Sequence, residues 1–257
     1  MRMLAIAAIL ASGVFADAPA ASAPRSQEVP MQHDLTPGVE LPQVAFTGLD
    51  AEDGTIPDVS VSPTALTIRG DVVLPLVDGE LAAGDVEDGM IPRLRDAAAS
   101  LPAGRLTLQI DRRVPYRTLV RVIHSLRAAG RDQHALLARA GAHVMSAPVA
   151  LADATPPRGG AQLVVSLTSD ELRLWSRTGA EGTRDHPKLA MQAASGIDLN
   201  DLANALAEIH ARRGDGAILV IADGGVAMQR TLEVIGAVRA TADGTPLYPE
   251  VQLATVD

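Results

Sequence analysis

Leu106, Leu108 and Ile110 alternate with Thr107 and Gln109, the two-residue period of a strand with one buried face. Asp111, Arg112 and Arg113 then turn the chain. Pro115 stands where a helix can begin, because its missing N–H has no intrahelical partner to lose there. Leu119, Val122, Ile123 and Leu126 follow at i, i+3, i+4 and i+7, one face of a helix, and Gly130 stops it. The pattern recurs downstream. Ile218, Leu219, Val220, Ile221 and Ala222 form an apolar run that predicts a strand covered on both faces. Asp223, Gly224 and Gly225 turn it, and Val234, Ile235 and Val238 line the next helix. A single offset of 112 residues takes Asp111 to Asp223, Val114 to Val226 and Val122-Ile123 to Val234-Ile235 without a gap.

The flanking segments agree. Val59-Ser60-Val61-Ser62 with Leu66 and Ile68 parallels Val165-Ser166-Leu167-Thr168 with Leu172 and Leu174, each pair reading as strand, turn and strand. An amphipathic helix comes next: Ile91, Leu94, Ala98 and Leu101 in one copy, Leu199, Leu202, Ala203, Leu206 and Ile209 in the other, with Asp198 as its N-cap. A last strand closes each unit, near residues 135–138 and 251–255. The expected fold is α+β, two tandem small β-β-α-β-α-β domains with helices packed on one face of a mixed sheet.

Arg2 followed by a thirteen-residue apolar run (4–16), broken only by Ser12 and Gly13, fits a secretory signal cut after Val14-Phe15-Ala16. As a helix the run rises about 20 Å, short of the ~30 Å hydrocarbon core. The rival reading is an inner-membrane anchor through residues 4–16. Pro19, Pro24, Pro30, Pro37, Pro42 and Pro57 make 17–57 a linker or loose arm, with an ordered patch near 41–46. Thr155-Pro156-Pro157-Arg158-Gly159-Gly160 marks a second break. The division is 1–16 signal peptide, 17–57 Pro-rich linker, 58–140 first domain, 141–161 linker and 162–257 second domain.

Composition narrows the function classes. The net charge of −9 disfavours a phosphate-backbone binder. One Trp, two Tyr and two Phe leave little for base or sugar stacking, and zero Cys removes disulfides, thiolate metal sites and Cys nucleophiles. His33, His124, His134, His143, His186 and His210 form no H-E-x-x-H pattern and read as scattered surface or boundary residues. Asp50-Ala51-Glu52-Asp53-Gly54 and Asp85-Val86-Glu87-Asp88-Gly89 resemble calcium loops but fail the ligand spacing, so both read as solvated turns. Asp223-Gly224-Gly225 lacks the continuation of a phosphate cradle and reads as a plain turn. Asp111 and Asp223 recur and are expected to hold strand-to-helix turns. Arg112 and Arg113 read as exposed cations with an anionic glycan or peptide carboxylate as the sharper alternative. Tyr116 either packs over the helix start or presents its hydroxyl to a partner. No catalytic, cofactor or metal set emerges, so the expectation is a protein that is not an enzyme and uses no cofactor.

Residues 106–130, with Asp111, Val114, Pro115, Tyr116, Leu119, Val122, Leu126, Ala129 and Gly130, resemble the periplasmic domain of the ExbD/TolR biopolymer-transport family, and Leu41-Pro42 is similar to that family's segment just after its membrane helix. The resemblance covers about 41–140 well and 162–257 more loosely, since Ala227 and Met228 replace Pro-Tyr in the second copy. It implies a periplasmic, non-catalytic binding or scaffold protein, accessory to a proton-motive-force-driven envelope transport complex. The partners it implies are an ExbB/TolQ-type channel subunit, a TonB-like transducer or peptidoglycan, with a homodimer or an intramolecular pseudo-dimer. The family's membrane helix carries an Asp used in proton passage. Here Asp17 lies at the outer end of a short run, so proton coupling is not carried over. The alternatives are a peptidoglycan-binding envelope protein with no channel partner and, lower still, an envelope enzyme. N-terminal sequencing of the mature protein tests the export reading: a soluble periplasmic species starting at Asp17 is expected, and an intact chain in the membrane fraction selects the anchor.

Overall fold

A computed structural model describes residues 35–45, 50–51, 56–152, 163–214 and 216–254. The signal segment, the Asp50–Gly54 loop beyond its first two residues, and the Pro-Pro break lie outside them. In chain order the elements are β1 (Asp50–Ala51), β2 (Val59–Val61), β3 (Ala65–Ile68), β4 (Asp71–Pro75), α1 (Pro92–Ala98), β5 (Leu106–Ile110), α2 (Tyr116–Ala128), β6 (His134–Ala140), β7 (His143–Leu151), β8 (Leu163–Leu167), β9 (Glu171–Ser176), β10 (Leu189–Gln192), α3 (Leu199–Arg213), β11 (Ala217–Ala222), α4 (Met228–Arg239) and β12 (Glu250–Ala254). The fold is α+β. One mixed sheet takes in all the strands in the order β10-β9-β8-β11-β12-β7-β6-β5-β2-β3-β4, with β1 paired to β7 off this path. Among the described residues no helix is long and apolar enough to cross a membrane.

The periodic segments form the elements expected of them. Leu119, Val122, Ile123 and Leu126 of α2 are fully buried, each such side chain worth about 1.5–3 kcal/mol. Gly130, at φ +76°, ends α2 with two reversed bonds, Gly130 N–H to the Arg127 carbonyl at 2.9 Å and Arg131 N–H to the Leu126 carbonyl at 3.0 Å. Asp198 caps α3 by accepting from Asn200 N–H at 2.8 Å. The backbone bonds of the turns at Asp111 and Asp223 repeat. Asp111 N–H donates to the Val61 carbonyl at 2.8 Å and Asp223 N–H to the Leu167 carbonyl at 2.9 Å.

Two differences change the architecture. Each run before a helix holds three strands, because β4 and β10 extend the two-strand units. Of β4 only Leu74 is buried, so this edge strand has no two-faced alternation to betray it. The larger correction concerns 141–161, read as a linker. Its residues 143–151 form β7, the longest strand, antiparallel to β6 and parallel to β12 through Val149/Val251, Ala150/Gln252 and Leu151/Leu253. Pro148 and the small Ala147 and Ala150 hide this strand, since proline normally argues against a central position. With β7 in place, the sheet and the main core are common to both halves: Leu106, Leu108 and Ile110 share one buried cluster with Ile218, Val220 and Ala222.

The halves meet at the starts of α2 and α4. Neither Pro115 nor Ala227 offers a side-chain cap. The first helical N–H groups instead donate across to the other half. Tyr116 N–H meets the Val226 carbonyl at 2.8 Å and Met228 N–H the Val114 carbonyl at 2.9 Å. Arg117 N–H meets the Gly224 carbonyl at 3.0 Å and Gln229 N–H the Arg112 carbonyl at 2.9 Å. The second bond of each pair is the first displaced by 112 residues on both partners. At Gly224 a Cβ would sit 3.2 Å from Arg117 Cβ, so a side chain there would force the neighbour to give by a few tenths of an ångström. Tyr116 is packed, and its hydroxyl donates to the Ala254 carbonyl of β12 at 2.9 Å. Burial holds this phenol protonated well above its usual range. Tyr116→Phe is expected to cost about 1 kcal/mol and Tyr116→Ala about 3–5 kcal/mol, read as shifts of the urea midpoint.

Candidate functional site

The arm 35–45 is seated on the sheet rather than loose. Two glutamine amides hold it as a neighbouring strand would. Gln109 of β5 accepts from Thr36 N–H at 2.8 Å and donates to the Thr36 carbonyl at 3.3 Å. Gln229 of α4 accepts from Gln43 N–H at 2.9 Å and donates to its carbonyl at 2.7 Å. Between them the backbone pairs with β6: Arg139 N–H donates to the Pro42 carbonyl at 2.8 Å and Val44 N–H to the Arg139 carbonyl at 2.9 Å. Leu41 is buried against Leu137 and Val144, while Val44 joins the main core. The ordered patch expected near 41–46 is present through residue 45, and Phe46 lies outside the described residues.

Asp111 and the two arginines close the arm's middle. The Asp111 carboxylate is wholly buried and accepts from Glu40 N–H at 2.8 Å, Arg113 N–H at 3.0 Å, and Arg113 Nε and Nη2 at 2.9 and 3.0 Å. Burial alone would raise its pKa. The Arg113 guanidinium and the two backbone N–H groups outweigh it and hold the carboxyl below its usual range. Arg112 binds Glu40 twice, N–H to carbonyl at 2.8 Å and Nε to carboxylate at 2.9 Å. Both cations are exposed, as read, and are also engaged by the arm clamp. Asp223, the counterpart of Asp111, holds only its turn and faces solvent.

Beyond Ala45 a cleft of about 470 Å³ opens between the arm, the start of α3 and the first turns of α4. Gln43, Val44, Leu199, Asn200, Gln229 and Glu233 line it. Glu233 accepts from Gln229 Nε2 at 2.8 Å and Arg230 Nη1 at 2.9 Å, which fixes the amide that reads the arm. The comparisons return no match. No family model, no curated protein and no solved structure matches this chain.

The remaining flagged residues do not converge. Among the described residues no three His, Asp or Glu side chains gather in a metal-holding group. The 85–89 segment ends in a hairpin turn closed by Glu87 and Met90, with Asp88 at φ +48° and Gly89 at φ +74°. His143 and His186 are exposed, His124 is partly buried beside Gly89, and His210 meets Tyr248 edge-on at 5.4 Å. His33 lies outside the described residues. His134 departs from the expectation of a surface or boundary position, being 2% exposed. Gln109, Arg139 and Gln229 were not foreseen as arm contacts, and only Gln109 left a trace, as a polar residue inside a strand.

Asp111→Ala removes the acceptor of the Glu40 and Arg113 donors and is expected to cost about 2 kcal/mol. Its specific readout is faster cleavage after Glu40 by a glutamate-specific protease. Because the folded carboxyl lies below its unfolded value, its contribution is complete above the ordinary carboxylate range. It is lost as pH falls through the folded value, and the variant lacks that component of acid destabilisation.

Proposed function

We propose that this chain is an exported, non-catalytic binding and scaffold protein made of two fused ExbD/TolR-like units, 58–140 and 162–257. It serves as an accessory to a proton-motive-force-driven envelope transport complex. The observation that carries this reading is the reciprocal junction. The residues of the family-like motif, Val114, Pro115 and Tyr116, meet their counterparts 112 positions on, Val226, Ala227 and Met228, through exchanged backbone bonds. A duplicated unit that joins to itself within one chain is a pseudo-dimer, and it presents two related surfaces at fixed separation. Such an arrangement favours simultaneous engagement of two sites over catalysis at one. The repeated order β-β-β-α-β-α-β on either side of β7 supports the same reading.

The surfaces differ between units, which fits a division of labour. Arg117 and Arg121 of α2 stand where α4 has Gln229 and Glu233, and only the second set borders the cleft. The peptidoglycan alternative draws no support from Arg112 and Arg113, whose guanidinium groups are occupied by Glu40 and Asp111.

Purification of the full chain from envelopes solubilised in mild detergent, followed by mass spectrometry, tests the proposal. Stoichiometric retention of an ExbB/TolQ-type channel subunit is expected. Sedimentation with purified sacculi and no channel subunit selects the peptidoglycan reading, and neither result leaves the accessory role without a partner and rejects it.

A further inference from the structure

His134 opens β6 at the seam of the sheet. It lies opposite Val149 of β7 and beside Leu106 of β5, and Val149 in turn lies opposite Val251 of β12. Leu106, Val149 and Val251 belong to the main core, so the imidazole occupies a core position in the row that joins the two halves. Neither ring nitrogen has a hydrogen-bond partner, and both are shielded from solvent. A buried imidazole in this state tolerates neutrality at some cost and tolerates charge far less. A groove of about 330 Å³ opens beside it, lined by Arg105, Asp132, Pro148, Pro249 and Glu250 among others. The groove gives water and protons a short route to the ring.

The charges around the ring come from each element packed on it. Asp132 precedes it on its own segment, Arg127 approaches from α2, Arg105 stands before β5 and Glu250 begins β12, while the β7 residues along the groove, Pro148, Val149 and Ala150, carry no charge. Of these, Asp132 favours an imidazolium and Arg127 opposes it. The Arg131 backbone favours the charged ring as an acceptor just outside strict hydrogen-bond geometry. Beyond that backbone acceptor, a protonated ring finds carboxylates at the groove rim, at Asp132 and Glu250. Reaching them means leaving the row it shares with Val149 and Val251.

We propose that His134 is an acid-sensitive latch: its protonation draws the ring toward the groove and loosens the β6–β7–β12 seam that joins the two halves. The direction agrees with the burial of the ring, which lowers its pKa to about 4 against Asp132 and the Arg131 carbonyl. The folded value lies below the unfolded one, so the latch contributes fully above about pH 6.5 and weakens as pH falls toward 4.

The test compares the full chain with His134→Gln by urea unfolding between pH 7.5 and 4, alongside hydrogen exchange corrected for the intrinsic pH dependence. The natural chain's folding constant is expected to fall about 150-fold more than the variant's over this range, because the folded ring is only half protonated at pH 4. Protection should drop first in β6, β7 and β12, with β3 keeping its protection. Parallel pH profiles, or seam protection that does not change, overturn the proposal. Should His134→Gln not fold, the ring's own titration by NMR in the natural chain decides. A midpoint at or above 6 refutes the latch, and one near 4 with seam opening supports it.

Discussion

The exchange of backbone hydrogen bonds at the starts of α2 and α4 organises the molecule. A helix leaves its first N–H groups without intrahelical partners, and side chains of the preceding residue usually supply acceptors. Pro115 and Ala227 cannot. The acceptors are instead the carbonyls of Arg112, Val114, Gly224 and Val226, each in the opposite half. Neither helix start is complete alone, so the turns after β5 and β11 must meet. Gly224 permits the close approach, and Tyr116 extends it by sending its hydroxyl to the Ala254 carbonyl of β12, the second unit's strand beside β7.

Strand β7 meets the same demand from the sheet side. Without it β6 and β12 would each present an unpaired edge. It is antiparallel to one and parallel to the other, so a continuous ladder crosses from the first half to the second. The row through His134, Val149 and Val251 is where this ladder is least conventional, since a polar ring stands among core side chains.

The arm shows how weakly patterned sequence becomes ordered structure. Residues 35–45 contain two prolines and one glycine, and nothing in their spacing predicts a strand or a helix. They are held because Gln109, Gln229, Arg139, Asp111 and Arg112 satisfy the backbone. Leu41 and Val44 give the apolar anchors that offset the cost of ordering a proline-rich segment.

Much of the fold was legible in the sequence. The alternation of β5, the i, i+3, i+4, i+7 face of α2, the glycine stop at Gly130 and the cap at Asp198 are local, and each has a side-chain signature. The 112-residue offset was also legible, because packing against a common core imposes the same apolar positions on both copies. The tertiary structure alone decided what lies between them. Strand β7 was masked by Pro148 and small residues. The burial of His134 depends on which strands flank it, and Arg112 and Arg113, exposed as read, gain their partners only when the arm's Glu40 and the buried Asp111 are beside them. The junction depends on main-chain carbonyls, which every residue carries and no sequence pattern marks. Side-chain periodicity therefore determined the elements, and backbone groups seeking partners over long separations determined how those elements became one molecule.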